Sequence, residues 1–124
     1  MTEAQHQMMV LKWTQQPTVR RKWPELALLF HIPNERYCTP QQGKTLQRMG
    51  VKRGVPDLCL PVARGSYHAL FLEMKAEKGA VSEDQRWWHE RLKHQGNIAA
   101  VCYGWEAAVH ALEWYMGLSD GCGI

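Results

Sequence analysis

The sequence predicts an α/β fold with a single mixed β-sheet flanked by helices, and two observations carry that prediction. Short apolar runs bounded by Gly and Pro alternate with longer segments of helical periodicity. Two neighbouring apolar runs also flank a glycine-containing turn, which is typical of a β-hairpin. The predicted order is α-β-β-β-α-β-α with no internal repeat, and one sheet covered by helices buries elements of these kinds.

Length and composition indicate a single globular domain. The chain has 124 residues, of which 45% are hydrophobic and 22% charged. We expect a domain over residues 1–118 and a flexible tail over 119–124. No apolar run approaches the roughly 20 residues of a membrane span. The first residues carry Glu3 and no basic group ahead of their apolar residues, unlike a secretory signal. We therefore expect no membrane association and a cytoplasmic location.

The N-terminal third predicts a helix followed by a strand. Thr2 is a suitable N-cap for a helix that begins at Glu3 and stops by Pro17, and Glu3 falls on the inward side of that helix. The apolar run 26–32 is bounded by two prolines and predicts a buried strand. Residues 34–56 are rich in Gly, Pro and polar groups, and we expect only a short helix near 44–49.

The runs 57–62 and 68–75 predict the hairpin, and a loop centred on Gly65 places Asp57 directly opposite Glu73. Opposed residues of antiparallel strands have Cβ atoms about 4.5–5.5 Å apart. Because side chains alternate along a strand, Glu73 and Lys75 share one face while Met74 takes the other.

The C-terminal third predicts a helix, a strand and a helix. Ser82 begins the first helix and Gly96 ends it, residues 98–103 form a strand, and the last helix starts at Trp105. Trp114 falls off the apolar stripe of that last helix, so we expect it to be exposed. An exposed Trp there would mark an interface with a second copy rather than the core.

Two facing carboxylates on a core hairpin favour a metal site. Held face to face, they repel each other and are costly to bury, and a divalent cation such as Mg²⁺ removes that cost. The metal would activate a water for attack on a phosphodiester, and Lys75 would orient that water or stabilise negative charge. The alternative is a plain salt bridge between Glu73 and Lys75 on a half-exposed strand.

The charge distribution adds a basic surface to this acidic site. Residues 1–56 hold nine Lys and Arg against three acids, whereas residues 57–124 hold six against nine. A basic segment beside an acidic site indicates either a solvated face or a phosphate-contacting one. The candidates for contact with substrate phosphates are Arg20, Arg21, Lys22, Lys44, Arg48, Lys52 and Arg53.

Other residue types give weaker signals. The four cysteines include no close-spaced pair, so zinc is not expected, and Cys59 and Cys102 read as small buried hydrophobes. His31 closes the predicted strand 26–32 near the proposed site. Trp87 and Trp88 are either core residues or platforms on which nucleic-acid bases stack.

Several motifs together resemble one family of nucleases. GVPD at 54–57, followed 16 residues later by ExK at 73–75, resembles the catalytic motif of the PD-(D/E)xK nucleases. Glu3 with Gln7, IPN at 32–34, and the S-x-x-Q of 82–85 in the same order resemble a stand-alone VRR-NUC domain of the phage type. The chain departs from the family pattern after IPN, where Glu35 and Arg36 replace small residues.

The resemblance implies a restriction-endonuclease-like core and a set of roles. Asp57, Glu73, the Met74 carbonyl and Glu3 would bind the metal, and Asp57, Glu73, Lys75 and Gln85 would be catalytic. Gln85 also fits a capping box that Ser82 opens, so its role stays open between cap and catalysis. The cofactor would be Mg²⁺, with Mn²⁺ as a substitute and no organic cofactor.

The resemblance also implies a substrate and an assembly. The family cleaves DNA, and its small stand-alone members act on branched DNA, especially four-way (Holliday) junctions, as homodimers. A phage-encoded member would work in the host cytoplasm. Two alternatives remain open at this point: a non-catalytic module of the same fold that binds DNA or a protein, and a nuclease that acts on linear duplex.

Overall fold

The computed structural model describes residues 1–34 and 38–120, so the prediction made for Glu35 and Arg36 and most of the predicted tail lie outside the described residues. Ten elements follow one another along the described chain. They are α1 (Glu3–Thr14), α2 (Pro17–Lys22), a 3₁₀ helix (Pro24–Leu28), β1 (Phe30–His31), α3 (Pro40–Arg48), β2 (Leu58–Leu60), β3 (Leu70–Lys75), α4 (Glu83–His94), β4 (Ile98–Tyr103) and α5 (Trp105–Met116).

The four strands form one mixed sheet in the order β1-β2-β3-β4. β1 pairs with β2 and β2 with β3 in antiparallel fashion, while β3 and β4 run parallel. The parallel pair requires a crossover, and α4 supplies it. The predicted fold class is confirmed. None of the helices in the described ranges is long and apolar enough to cross a membrane.

The hairpin has the predicted register. Leu58 pairs with Leu72 and Leu60 with Leu70, so one further step places Asp57 opposite Glu73. Gly65, at the centre of the connection, has a φ of +57°, a left-handed value that glycine adopts without strain.

Alternation along β3 separates a core face from a site face. Leu70, Leu72 and Met74 are fully buried in the hydrophobic core, which also contains Val10 of α1 and Leu112 of α5. Glu73 and Lys75 point the other way, toward α4. α1 and α5 pack on each other and on β3, whereas α4 packs on β4. The sheet therefore holds the apolar core on one face and the charged residues on the other.

The last helix follows the predicted pattern. Its buried residues are Ala108, Val109, Leu112, Tyr115 and Met116. Trp114 is 54% exposed, as its position off the stripe predicted. Cys59 and Cys102 are buried among apolar residues, also as predicted.

The prediction of a buried strand over 26–32 is wrong. Residues Pro24–Leu28 form a 3₁₀ helix, and only Phe30 and His31 pair in the sheet, with both side chains exposed. Leu26 and Leu29 are the buried members, three residues apart, which is the 3₁₀ period. An apolar run of this length does not distinguish a strand from a short helical turn.

One helix, α2, was not predicted, and another, α3, starts earlier than predicted. Pro17 does not only end α1 but also occupies the first turn of α2, where its missing N–H costs nothing. α3 begins at Pro40 rather than near residue 44, because Thr39 and Gln42 form a capping box. The observed order therefore contains α2 and the 3₁₀ helix in addition to the predicted elements, and α3 is the short helix predicted near 44–49, with an earlier start.

Candidate active site

Three charged side chains are buried on the site face of the hairpin. Glu73 is 1% exposed, Lys75 5% and Asp57 7%. The plain reading of Glu73 and Lys75 as a half-exposed salt bridge does not fit this burial. Charges removed from water to this extent require partners, because the loss of hydration disfavours each of them.

Asp57 is held by the backbone of the facing strand. Its Oδ2 accepts a hydrogen bond of 2.7 Å from the Met74 N–H. Asp57 directly precedes β2, and the hairpin register brings its side chain to the adjacent strand. A carboxylate that accepts a backbone N–H is oriented without consuming both of its oxygens.

Glu73 has an incomplete set of partners. Its Oε2 accepts a hydrogen bond of 3.1 Å from Gln85 Nε2 and lies 4.0 Å from Lys75 Nζ. Its Oε1 is buried and has no hydrogen-bond partner among the described residues. A buried polar atom without a partner is rare in folded proteins and marks a place where a ligand or ion fits.

The pKa of Glu73 reflects this environment. Burial, followed by the charge of the facing Asp57, raises the pKa from 4.5 to about 8. Lys75 acts in the opposite direction, and Glu3 adds a smaller increase. The metal-free site therefore holds a proton where a cation would otherwise balance the charge.

Gln85 caps α4 and also contacts Glu73. Its Oε1 accepts from the Ser82 N–H at 2.9 Å, and its own N–H donates to Ser82 Oγ at 3.1 Å, which completes the capping box. The Nε2 of the same amide donates to Glu73. The start of α4 thus fixes the amide that supports the buried carboxylate.

These groups line an open cavity of about 380 Å³. Asp57, Glu73, Lys75 and Gln85 line it, together with residues of the loop before β2 and the start of α4. A second cavity of about 200 Å³ adjoins it, because Asp57 and Asn34 line both. Glu3 lines this second cavity, so α1 contributes its acid from the side.

One wall of the main cavity is fixed to α4 by two contacts. Gly54 has a φ of +89°, and a Cβ there would lie 2.6 Å from the Asp84 carbonyl carbon. The Trp88 Nε1–H donates to the Arg53 carbonyl at 3.0 Å. Arg53 and Gly54 therefore sit directly on the helix that carries Gln85. The glycine is required by the close approach of two backbones.

The donor set suits a hard divalent cation. Two buried carboxylates face each other, and the unpartnered Glu73 Oε1 offers an oxygen that a cation would take. Within residues 1–34 and 38–120, no three His, Cys, Asp or Glu side chains converge into a preformed cage. Mg²⁺ suits such an open site, since it keeps several waters and needs one or two carboxylates.

The basic candidates divide into two groups. Arg53 lines the cavity, and Lys52 precedes it, while Lys44 and Arg48 lie on α3. The second group lies on α2, and within the described residues Arg53 is the only one of the seven basic candidates that lines the main cavity. Arg20 donates to the Thr14 carbonyl at 3.1 Å, and Lys22 lies 4.6 Å from the centre of the Trp23 ring. Arg20 therefore joins α2 to the end of α1.

Asn34 and His31 lie at the site, but the sequence analysis assigned neither of them a role there. Asn34 lines both cavities, and its only signal was its place in the IPN motif. His31 Nδ1 lies 2.9 Å from the Asp57 carbonyl oxygen and 3.0 Å from Gln7 Nε2. It therefore joins β1 and α1 to the residue that enters the site, which its position at the end of a strand only suggested.

Comparison with known proteins agrees with this geometry. The chain matches the model of the VRR-NUC domain over residues 1–106. A solved structure described as a VRR_NUC domain protein superimposes with a TM-score of 0.81 at 29% sequence identity, and covers 97% of this chain and 92% of that chain. A search of curated proteins found no match. The matches define a nuclease-type DNA-binding domain. This chain belongs to the VRR-NUC domain family, as its motifs predicted.

The raised pKa of Glu73 predicts a pH-dependent stability in the absence of metal. The folded protein keeps a proton that the unfolded chain releases near pH 4.5, so the contribution to stability is full below that pH and is lost as the pH rises to about 8. In EDTA, the free energy of unfolding of Glu73→Gln should lack this loss. Urea denaturation across this pH range measures it, with the exposed Glu77→Gln as the control. Identical pH profiles for Glu73→Gln and wild type would contradict the assignment.

Proposed function

We propose that this protein is a metal-dependent DNA endonuclease that hydrolyses phosphodiester bonds. The observation that carries the proposal is the buried Glu73 carboxylate, which faces Asp57, contacts Lys75 and Gln85, and leaves one oxygen without a partner. A purely structural hairpin has no use for opposed acids in its interior, since apolar residues would fill the same space at lower cost.

The metal ligands would be Asp57, Glu73 and the Met74 carbonyl, with Glu3 adding its charge from α1. The ion would be Mg²⁺, and Mn²⁺ would substitute for it. When bound, such an ion supplies Lewis-acid stabilisation of the phosphate and lowers the pKa of water. Asp57 presents its carboxylate in a fixed direction, because the Met74 N–H holds Oδ2.

Lys75 and Gln85 would act on the reacting groups. The Lys75 ammonium, which is buried in the cavity floor, places a positive charge where the phosphate gains negative charge during attack. Gln85 holds Glu73 through Nε2 while its Oε1 is engaged in the cap, so it orients the carboxylate and keeps its rotamer. Arg53, on the cavity wall, would bind a phosphate of the substrate strand.

The rival function is a non-catalytic module that binds DNA or a protein. Such a module would gain from basic residues and would lose from two carboxylates beside the phosphate. The presence of Asp57, Glu73 and Lys75 in one cavity favours the enzyme. A nuclease that acts on linear duplex has the same site, and differs from a branch-selective enzyme only in the DNA it prefers.

We further propose that the substrate is branched DNA, such as a four-way junction, and that the protein acts as a homodimer. Symmetric cutting of a junction requires two sites related by a two-fold axis, and a C₂ interface supplies them. Trp114 is exposed on α5 next to the buried Tyr115, and an exposed Trp of this kind suits the centre of an interface. The basic segments 20–22 and 44–53 would form the shared DNA surface.

Removal of either central carboxylate should abolish cleavage. Glu73→Gln and Asp57→Asn keep the shape of each side chain but remove a negative charge from the proposed ligand set. In Asp57→Asn, the side-chain oxygen still accepts the hydrogen bond from the Met74 N–H. We expect at least about 10³-fold loss of activity on labelled linear and four-way DNA with Mg²⁺. Wild type should be inactive in EDTA and should cut the four-way DNA faster than the linear one. If either variant cleaved DNA as fast as wild type, Asp57 and Glu73 would not form the catalytic site. If wild type cleaved DNA without a divalent ion, the proposed dependence on metal would be wrong.

Lys75→Ala should lose activity without losing the metal. The ammonium acts on water and phosphate rather than on the ion, so we expect about 10²- to 10³-fold slower cleavage. Calorimetry with Mn²⁺ should give a dissociation constant close to that of wild type. Lys75→Met, which keeps most of the unbranched side chain without its charge, controls for packing and should be equally slow. Loss of Mn²⁺ binding in both variants, with unchanged circular dichroism, would contradict this role.

The dimer is tested by mass in solution. Light scattering at micromolar concentration should give twice the chain mass of 14.3 kDa. Trp114→Glu should shift the protein toward monomer, because it buries a charge at the proposed interface. Trp87→Glu changes an equally exposed Trp, at 55% against 54%, and should remain dimeric. A monomeric wild type that still cleaves four-way DNA would exclude symmetric cutting by a stable dimer.

A further inference from the structure

The first half of α1 carries Glu3 but is not held by the hydrophobic core. The buried residues of α1 are Val10 and Thr14, and both lie in its second half. The side chains before them, from Glu3 to Met9, are partly or fully exposed. The position of Glu3 relative to the carboxylates of the hairpin therefore depends on polar contacts rather than on apolar packing.

Two polar contacts hold this half of the helix. His6 Nδ1 accepts a hydrogen bond of 3.1 Å from the Trp105 N–H at the start of α5. Gln7 lies one turn after Glu3 on the same face of α1, and its Nε2 is 3.0 Å from His31 Nδ1. The contact of Gln7 is the one directed toward the site, because Glu3, Gln7 and His31 line one cavity beside the main one.

The same imidazole nitrogen contacts the backbone of Asp57. His31 Nδ1 lies 2.9 Å from the Asp57 carbonyl oxygen, which also accepts a hydrogen bond of 2.8 Å from the Ile32 N–H. A carbonyl oxygen only accepts, so Nδ1 carries the proton in this contact. The Gln7 amide then meets an N–H group and presents its oxygen to it, since a half-turn of the amide exchanges its oxygen and nitrogen. One N–H is thus shared between the Asp57 carbonyl and Gln7.

We infer that His31 is a positioning residue that sets the separation between Glu3 and the carboxylates of the hairpin. It does so by joining Gln7 of α1 to the Asp57 backbone. Asp57 also accepts hydrogen bonds from two backbone N–H groups, so the loss of His31 displaces α1 more than the hairpin. The inference rests on the proposed function, because it takes Glu3 as part of the metal site.

Calorimetry with Mn²⁺ measures this role without cleavage. His31→Ala should raise the Kd for Mn²⁺ about tenfold, which is the loss expected when a residue that orients the ligands of a metal is removed. Gln7→Met removes the other end of the bridge and should have a similar effect. His31→Asn keeps an N–H donor near the position of Nδ1 and should retain most of the affinity. His94→Ala removes an exposed histidine of α4 and is the matched control, with a Kd equal to that of wild type.

A double-mutant cycle distinguishes positioning of Glu3 from a general loss of structure. If His31 acts through Glu3, His31→Ala should weaken Mn²⁺ binding in wild type and add little to the loss in Glu3→Gln. Full additivity of the two losses would overturn the inference. NMR of the neutral His31 ring gives a readout independent of the metal and should place the proton on Nδ1. A proton on Nε2 instead would also overturn it.

The outcomes separate this inference from the proposed function. If wild type binds Mn²⁺ and cleaves DNA while His31→Ala binds Mn²⁺ equally well, the positioning role is wrong and the nuclease stands. If wild type binds no Mn²⁺, the proposed metal centre fails, and the role given to His31 fails with it.

Discussion

The burial of the Glu73 carboxylate is the constraint on which the rest of the site depends. Glu73 is 1% exposed and lies beside a second acid, so its carboxylate can be buried only if neighbouring groups bind it or balance its charge. The hairpin register supplies Asp57, the backbone of Met74 orients that acid, and α4 supplies the Gln85 amide. The Glu73 oxygen that remains without a partner is one of two buried side-chain atoms in the described residues that make no hydrogen bond; the other is His89 Nε2. Sites that break a rule of folding in this way are where function is expected.

The parts of the fold that the sequence predicted well share a physical cause. β4, α5 and the register of the hairpin depend on short periods of two or 3.6 residues and on a turn glycine, all of which are local. Gly65 and strict alternation were enough to oppose Asp57 and Glu73. The prediction of a strand over 26–32 was wrong because this segment lacks such a local signal. It is apolar throughout, so its period is hidden, and only packing against the body shows that Leu26 and Leu29 are the buried pair.

The site divides in the same way. The proximity of Asp57, Glu73 and Lys75 could be predicted because all three lie on one hairpin, where the register and the alternation of side chains fix their positions. Gln85 was ambiguous because a single amide has two ends, and the sequence gives no means to see that one end caps α4 while the other supports Glu73. His31 ends β1 and Asn34 follows it, and both come close to Asp57, which is more than twenty residues away in the sequence. Such contacts leave no periodic trace. Arg20 was included on charge alone, yet its guanidinium reaches a backbone carbonyl of α1.

Helix α4 explains how the chemistry and the binding surface are kept in register. Its first turn carries Gln85, and the Asp84 backbone beneath it receives Gly54 so closely that no other residue fits without a shift. One turn later, Trp88 holds the Arg53 carbonyl. The basic wall of the cavity and the support of the buried carboxylate are thus parts of one rigid element rather than two independent loops. A displacement of α4 would move Gln85 and the Arg53 wall together, relative to Asp57 and Glu73 on the hairpin. Under the proposed function, the packing of α4 on β4 would therefore set how a phosphate at the wall aligns with these acids. Alignment of this kind is what phosphodiester hydrolysis needs, since its rate depends on positioning as much as on charge.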